Sequence, residues 1–134
     1  CEWAKQVIKT GQLQVITYDT TAPEDIILGL GLGCNGIVQV LIEPLDQNSC
    51  QIQWMDECLN NRKIGAIATI FESEEPFKLL LGSKIFINQQ GIIVNQIEDL
   101  LLSEQIFQDS QTALSNQQSQ VKTYFWNQTE IKGL

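Results

Sequence analysis

Cys34 is the residue of this sequence best placed to do chemistry. It sits inside Gly29-Leu30-Gly31-Leu32-Gly33-Cys34-Asn35-Gly36, a thiol framed by glycines, and the apolar run Ile37 to Ile42 follows at once, closed by Glu43 and Pro44. Glycines at this density let a loop enter φ > 0 and let a ligand or another backbone come close. The spacing Gly31-x-Gly33-x-x-Gly36 matches a dinucleotide-binding fingerprint, which requires a strand before it and a helix after it. Here a helix-like segment precedes and a strand-like one follows. A Rossmann nucleotide site is therefore rejected.

The rest of the chain narrows the chemistry by what it lacks. There is no histidine, so Ser-His and Cys-His triads are excluded within the chain, as is the commonest metal ligand. The four cysteines, Cys1, Cys34, Cys50 and Cys58, show neither C-x-x-C spacing nor a disulfide framework. Near the glycine loop the acid–base candidates are Glu24, Asp25 and Glu43; the first two suit a helix N-terminus. A formal net charge of −8 with only 8 Lys and Arg leaves no basic stripe for nucleic acid or an anionic membrane. No apolar run approaches the roughly 18 residues of a spanning helix and no secretory leader is recognisable, so a cytoplasmic chain with reduced thiols is expected. Because it begins at Cys1 rather than methionine, it is also expected to be part of a longer protein.

The elements that must position Cys34 follow from periodicity. Cys1 to Thr10 reads as a helix with Trp3, Val7 and Ile8 on one face and Gly11 ending it. Leu13 to Tyr18 is a short strand. Thr21-Ala-Pro-Glu24 has the form of a capping box for a helix over roughly 22–30, which delivers the chain into the glycine loop. Ile37 to Ile42, apolar on both faces, is expected to be buried within a sheet. Asp46 to Asn61 reads as a helix whose apolar stripe holds Cys50, Trp54 and Cys58, so both cysteines are assigned to core packing. Ile64 to Phe71 is a strand. Lys84–Ile87 and Ile92–Val94 form a hairpin with a four-residue loop. Glu98 to Ser115 is a helix, Val121 to Trp126 a last strand, and the tail from Asn127 is mobile. Together these give one domain, 1–134, of α/β (α+β) class, with a mixed or largely antiparallel sheet flanked by helices. A weak internal repeat relates 1–18 to 98–126, Gln14-Val-Ile-Thr-Tyr18 resembling Gln120-Val-Lys-Thr-Tyr124.

The segment from Glu24 to Pro44 resembles the G-L-x-C-G-G-x-(I/V)-x-V-x-(I/V)-E-P signature of the XdhC/CoxI family. Those proteins are accessory factors of molybdenum hydroxylases such as xanthine dehydrogenase. Cys1-Glu2 is similar to the end of a second family element, S-G-G-C-(V/L/I)-E, and Ile64-Gly-Ala-Ile-Ala-Thr-Ile70 to an A-(L/M)-A-T-V-V strand. The chain departs from the family pattern in two ways. Asn35 replaces a glycine, a residue that also enters the left-handed region, and no C-terminal Rossmann segment follows Trp126.

The resemblance implies a non-catalytic chaperone. Such a protein binds molybdenum cofactor (molybdopterin), holds it while a cysteine desulfurase installs its terminal sulfur, and passes it to the apo-hydroxylase. Cys34 would supply a soft thiolate of the kind that ligates transition metals, here molybdenum. Backbone around Gly31, Gly33, Asn35 and Gly36 would form an anion nest for the pterin phosphate. Cys1 would be a second thiol, and Glu43 would hydrogen-bond the glycine loop. A homodimer is compatible with this role. The reading from a different class is a cofactor-free acidic protein-interaction or regulatory module, in which the glycines only turn the chain and Cys34 fills a small hole. A thiol redox enzyme ranks third, because no Lys or Arg lies near Cys34 in sequence to lower its pKa.

Overall fold

A computed structural model of the chain describes residues 2–19, 36–74, 81–126 and 129–134. The fold is α+β with antiparallel sheets flanked by helices, and the chain divides into two compact units, Cys1–Pro44 and Leu45–Leu134. The helix expected over 22–30 and most of the glycine loop lie outside the described residues.

In the first unit, helix α1 (Glu2–Thr10) ends where expected. Gly11 takes φ +68° and donates its N–H to the Val7 carbonyl at 2.9 Å, a left-handed stop that glycine adopts without a Cβ clash. Val7 is buried as predicted, but Trp3 and Ile8 are exposed. Strands β1 (Gln14–Asp19) and β2 (Ile37–Ile42) pair antiparallel, Gln14 opposite Ile42 and Asp19 opposite Ile37. Burial of β2 on both faces is corrected here. Ile37 is 68 % exposed, Val38 and Val40 are exposed too, and β1 is the one strand paired with β2 among the described residues. An apolar run specifies a strand but not how many neighbours cover it.

The second unit is built on a five-stranded antiparallel sheet in the order β5-β4-β3-β7-β6. Its strands are β3 (Gly65–Ser73), β4 (Lys84–Asn88), β5 (Gly91–Asn95), β6 (Lys122–Trp126) and β7 (Thr129–Gly133), with helices α2 (Cys50–Asn60) and α3 (Leu100–Asn116). Successive strand residues face opposite sides, and β4, an inner strand between β5 and β3, uses both. Ile85 and Ile87 join Ile70, Leu102, Ile106 and Ile131 in the core under α3, whereas Phe86 meets Trp54 of α2 with ring centroids 5.6 Å apart. The sheet thus has α3 on one face and a residue of α2 on the other. The β4–β5 hairpin is tighter than expected, with Asn88 paired to Gly91 across a two-residue turn, Gln89 and Gln90.

Two sequence expectations fail in this unit. The segment after Asn127 is not a mobile tail: β7 lies between β3 and β6, and Ile131 is fully buried. Its attachment is reinforced across the strands, since Lys132 Nζ donates to Glu72 Oε1 at 2.7 Å, next to a register shift in β3. That hydrogen bond holds the Lys132 ammonium above its usual pKa. On α2 the cysteine stripe does not face the core: Cys50 is exposed and Cys58 is half-buried. Ile52, Met55 and Leu59 are exposed as well, so apolar residues are spread around the helix and Trp54 makes its described ring contact with the sheet.

Helix α3 begins at Asp99, whose Oδ1 accepts the Leu102 N–H at 2.8 Å, the usual N-cap bond to an otherwise unpaired first-turn amide. That bond, and after it the Trp126 side chain, hold the Asp99 carboxyl below its ordinary value of 3.8. The sign of the linkage follows. A carboxyl with a depressed folded pKa contributes stability that is complete above its unfolded pKa and is lost as pH falls through the folded value. Urea midpoints measured from pH 6 down to pH 2 should therefore fall below about pH 4, and Asp99→Asn should flatten part of that decline. An equally steep decline in the variant would show that other carboxylates carry it.

Candidate functional site

Of the seven residues singled out from the sequence, Cys1, Gly31, Gly33, Cys34 and Asn35 lie outside the described residues. The other two are fixed by β2. Gly36 is the half-buried residue entering the strand and Glu43 the half-buried residue leaving it. An extended strand rises about 3.3 Å per residue, so the two, flanking β2 at either end, stand up to about 23 Å apart. A Cβ placed on Gly36 would meet no described atom within 4 Å. Its glycine is therefore not demanded by a close neighbour among the described residues.

At the Glu43 end the structure adds a residue that sequence reasoning missed. Gln14, opposite Ile42 in the register, has a buried Oε1 with no hydrogen-bond partner among the described residues. A buried unpaired amide oxygen is costly, because water has been removed without replacement. It is thus a site for an incoming N–H or O–H donor. Only the β1–β2 register reveals it, since a glutamine opening a short strand carries no sequence signal of its own.

The remaining thiols do not extend the site. Cys50 and Cys58 occupy one helix eight residues apart, roughly 12 Å by helical rise, too far for a disulfide. Burial, and then the Glu57 carboxylate, push the Cys58 thiol up, against a smaller opposing pull from Lys63. It is held as the less reactive thiol rather than as thiolate. Among the described residues there is no group of three or more His, Cys, Asp or Glu that would hold a metal ion.

The described residues of the second unit line concavities of different sizes. One, of about 60 Å³, lies between α3 and the β3–β7–β6 side of the sheet. At its edge Asp109 accepts the Tyr124 hydroxyl at 3.1 Å and pairs with Lys122 at 3.5 Å. Burial, and then the Asp109 charge, push the Tyr124 hydroxyl far up, so it stays protonated and serves to tie α3 to β6. This space is well below the roughly 300 Å³ lower bound typical of ligand pockets. Another concavity, about 320 Å³, is formed by Arg62, Lys63, Ile64, Asn88, Gln89 and Gln90.

No protein-family model, no curated protein and no solved structure matches the chain. No described helix is long and apolar enough to cross a membrane.

Proposed function

We propose that the chain is an XdhC/CoxI-like carrier that binds molybdenum cofactor for a molybdenum hydroxylase, with a cysteine desulfurase as its second partner. The observation carrying this reading is the continuous Glu24–Pro44 signature, in which Cys34-Asn35-Gly36 opens directly into strand β2 and Glu43-Pro44 closes it. The donor set suits the cargo: Cys34 offers a soft thiolate and the glycine-rich backbone offers amides for an anionic phosphate. The Gln14 Oε1, buried without a partner among the described residues, would accept from a ring N–H of a pterin. Carriage needs affinity, shielding and a docking surface but no proton transfer, so a chain without histidine is adequate. Under this reading the protein works in the cytoplasm, with the hydroxylase it serves.

The test is cofactor retention. The reduced chain is incubated anaerobically with molybdenum cofactor and desalted, and pterin and molybdenum per chain are quantified. Near-stoichiometric amounts of both are expected. Neither element retained would favour the second reading, an acidic interaction module, to which the exposed Ile37, Val38 and Val40 of β2 would contribute a contact surface.

A further inference from the structure

The 320 Å³ cleft at the end of α2 has a charge balance unlike that of the chain around it. The sequence carries 16 Asp and Glu against 8 Lys and Arg, yet among the described residues this cleft is lined by two cations, three side-chain amides and Ile64, the nearest carboxylate being Glu57, paired with Lys63 at its edge. The sheet register creates it: Gly65 lies opposite Asn88, which brings residues 62–64 beside the β4–β5 turn. Arg62 is the sequence's only arginine, and its guanidinium has neither an ion pair nor a hydrogen bond among the described residues.

Its backbone makes the placement more informative. Arg62 takes φ +51°, the left-handed conformation in which a helix-ending residue is usually glycine. The bonds around it complete the motif. Lys63 donates its N–H to the Cys58 carbonyl at 2.9 Å and Arg62 to the Leu59 carbonyl at 3.3 Å, while Asn61 supplies both its N–H and its Nδ2 to the Glu57 carbonyl. The last carbonyls of α2 are thus already satisfied by backbone and amide donors, so the guanidinium is not needed to cap them. Lys63 is shared with Glu57 at 3.2 Å, a half-exposed pair of the kind that contributes little and exchanges readily. Asn88 Oδ1 accepts the Gln90 N–H at 2.7 Å, which leaves the Asn88 Nδ2 group to donate elsewhere.

We propose that this cleft binds the phosphate group of a small phosphorylated metabolite. Arg62 would supply the paired N–H donors of its planar fork, Lys63 a second charge, and Asn88 an amide donor, with Ile64 as an apolar wall. A planar guanidinium with flanking donors matches a phosphate's oxygens better than a single ammonium would. The site is independent of the carrier reading and of Cys34.

The test separates binding from folding by means of the backbone. Inorganic phosphate is titrated at low ionic strength into the wild-type chain and into Arg62→Gly and Arg62→Gln, followed by amide chemical shifts. In the wild type the shifts should concentrate on residues 62–64 and 88–90. Both variants should weaken binding at least tenfold. Arg62→Gly should at the same time raise the thermal midpoint, since glycine relieves the left-handed backbone. Shifts spread over the other lysines, no shifts at all, or phosphate affinity unchanged in Arg62→Gly would each overturn the proposal.

Discussion

Gly65→Ala is expected to destabilise the second unit by roughly 3 kcal/mol, the upper part of the usual range for overpacking. A Cβ at this position would land on the Trp54 ring, closer than any real contact, and 2.8 Å from the Ile87 carbonyl oxygen. Neither neighbour can retreat cheaply. The Trp54 ring is seated on Phe86, which is fully buried, and the Ile87 backbone is held in the β3–β4 ladder opposite Ala66. Gly133 provides the control on the same sheet. Its added Cβ would sit 3.5 Å from Tyr124 and 3.6 Å from the Thr69 carbonyl, ordinary contacts, so Gly133→Ala should be neutral or stabilising by about 0.5 kcal/mol. Urea midpoints of the two variants should differ clearly. Trp54→Leu added to Gly65→Ala should recover part of the loss. Equal midpoints would mean that Trp54 does not lie over Gly65.

Ile131→Ala should be similarly damaging, at about 2–5 kcal/mol for a large-to-small change in a close-packed core. Ile131 is fully buried, lies opposite Tyr124 on β6 and Ser73 on β3, and sits on the strand that joins these two. Loosening β7 therefore detaches β6 as well, and with it the Tyr124–Asp109 tie to α3. The neighbouring substitution Glu130→Ala, at an exposed position, is the control and should change stability by less than about 0.5 kcal/mol. If both variants unfold at the wild-type midpoint, the segment after Asn127 is the mobile tail that its composition suggests.

That contrast shows where the sequence is readable. The α+β class, the antiparallel preference, α1 with its Gly11 stop, the hairpin β4–β5, α3 and β6 all follow from periodicity and turn chemistry within a dozen residues. β7 does not. Thr129-Glu-Ile-Lys-Gly133 presents one large apolar side chain to the core, and its ion-pair partner Glu72 lies sixty residues earlier. Local pattern had nothing to register there. Cys50 failed for a different reason. Four-residue spacing put it on a stripe with Trp54, but α2 also carries Ile52, Met55 and Leu59 on its exposed surface, so the stripe did not define a single face. β2 failed similarly, because an apolar run cannot say how many strands flank it.

The candidate sites divide along the same line. The Cys34 motif is a contiguous sequence signature, legible without any fold. The Gln14 acceptor and the Arg62 cleft exist only through strand register, Gln14 with Ile42 and Gly65 with Asn88. No spacing rule connects their members. Arg62 further breaks the local preference for glycine at a left-handed helix end, and such departures from local rules gather where function asks for them.

The central claim, that the glycine-framed thiol holds the cofactor, is tested most directly by comparing wild type with Cys34→Ser in the anaerobic retention experiment, with circular dichroism confirming equal folding. The wild type is expected to retain pterin and molybdenum in near-equal amounts through desalting, and Cys34→Ser to lose molybdenum at least tenfold. Full retention of both by Cys34→Ser would contradict the claim and leave the thiol a structural residue of the glycine loop.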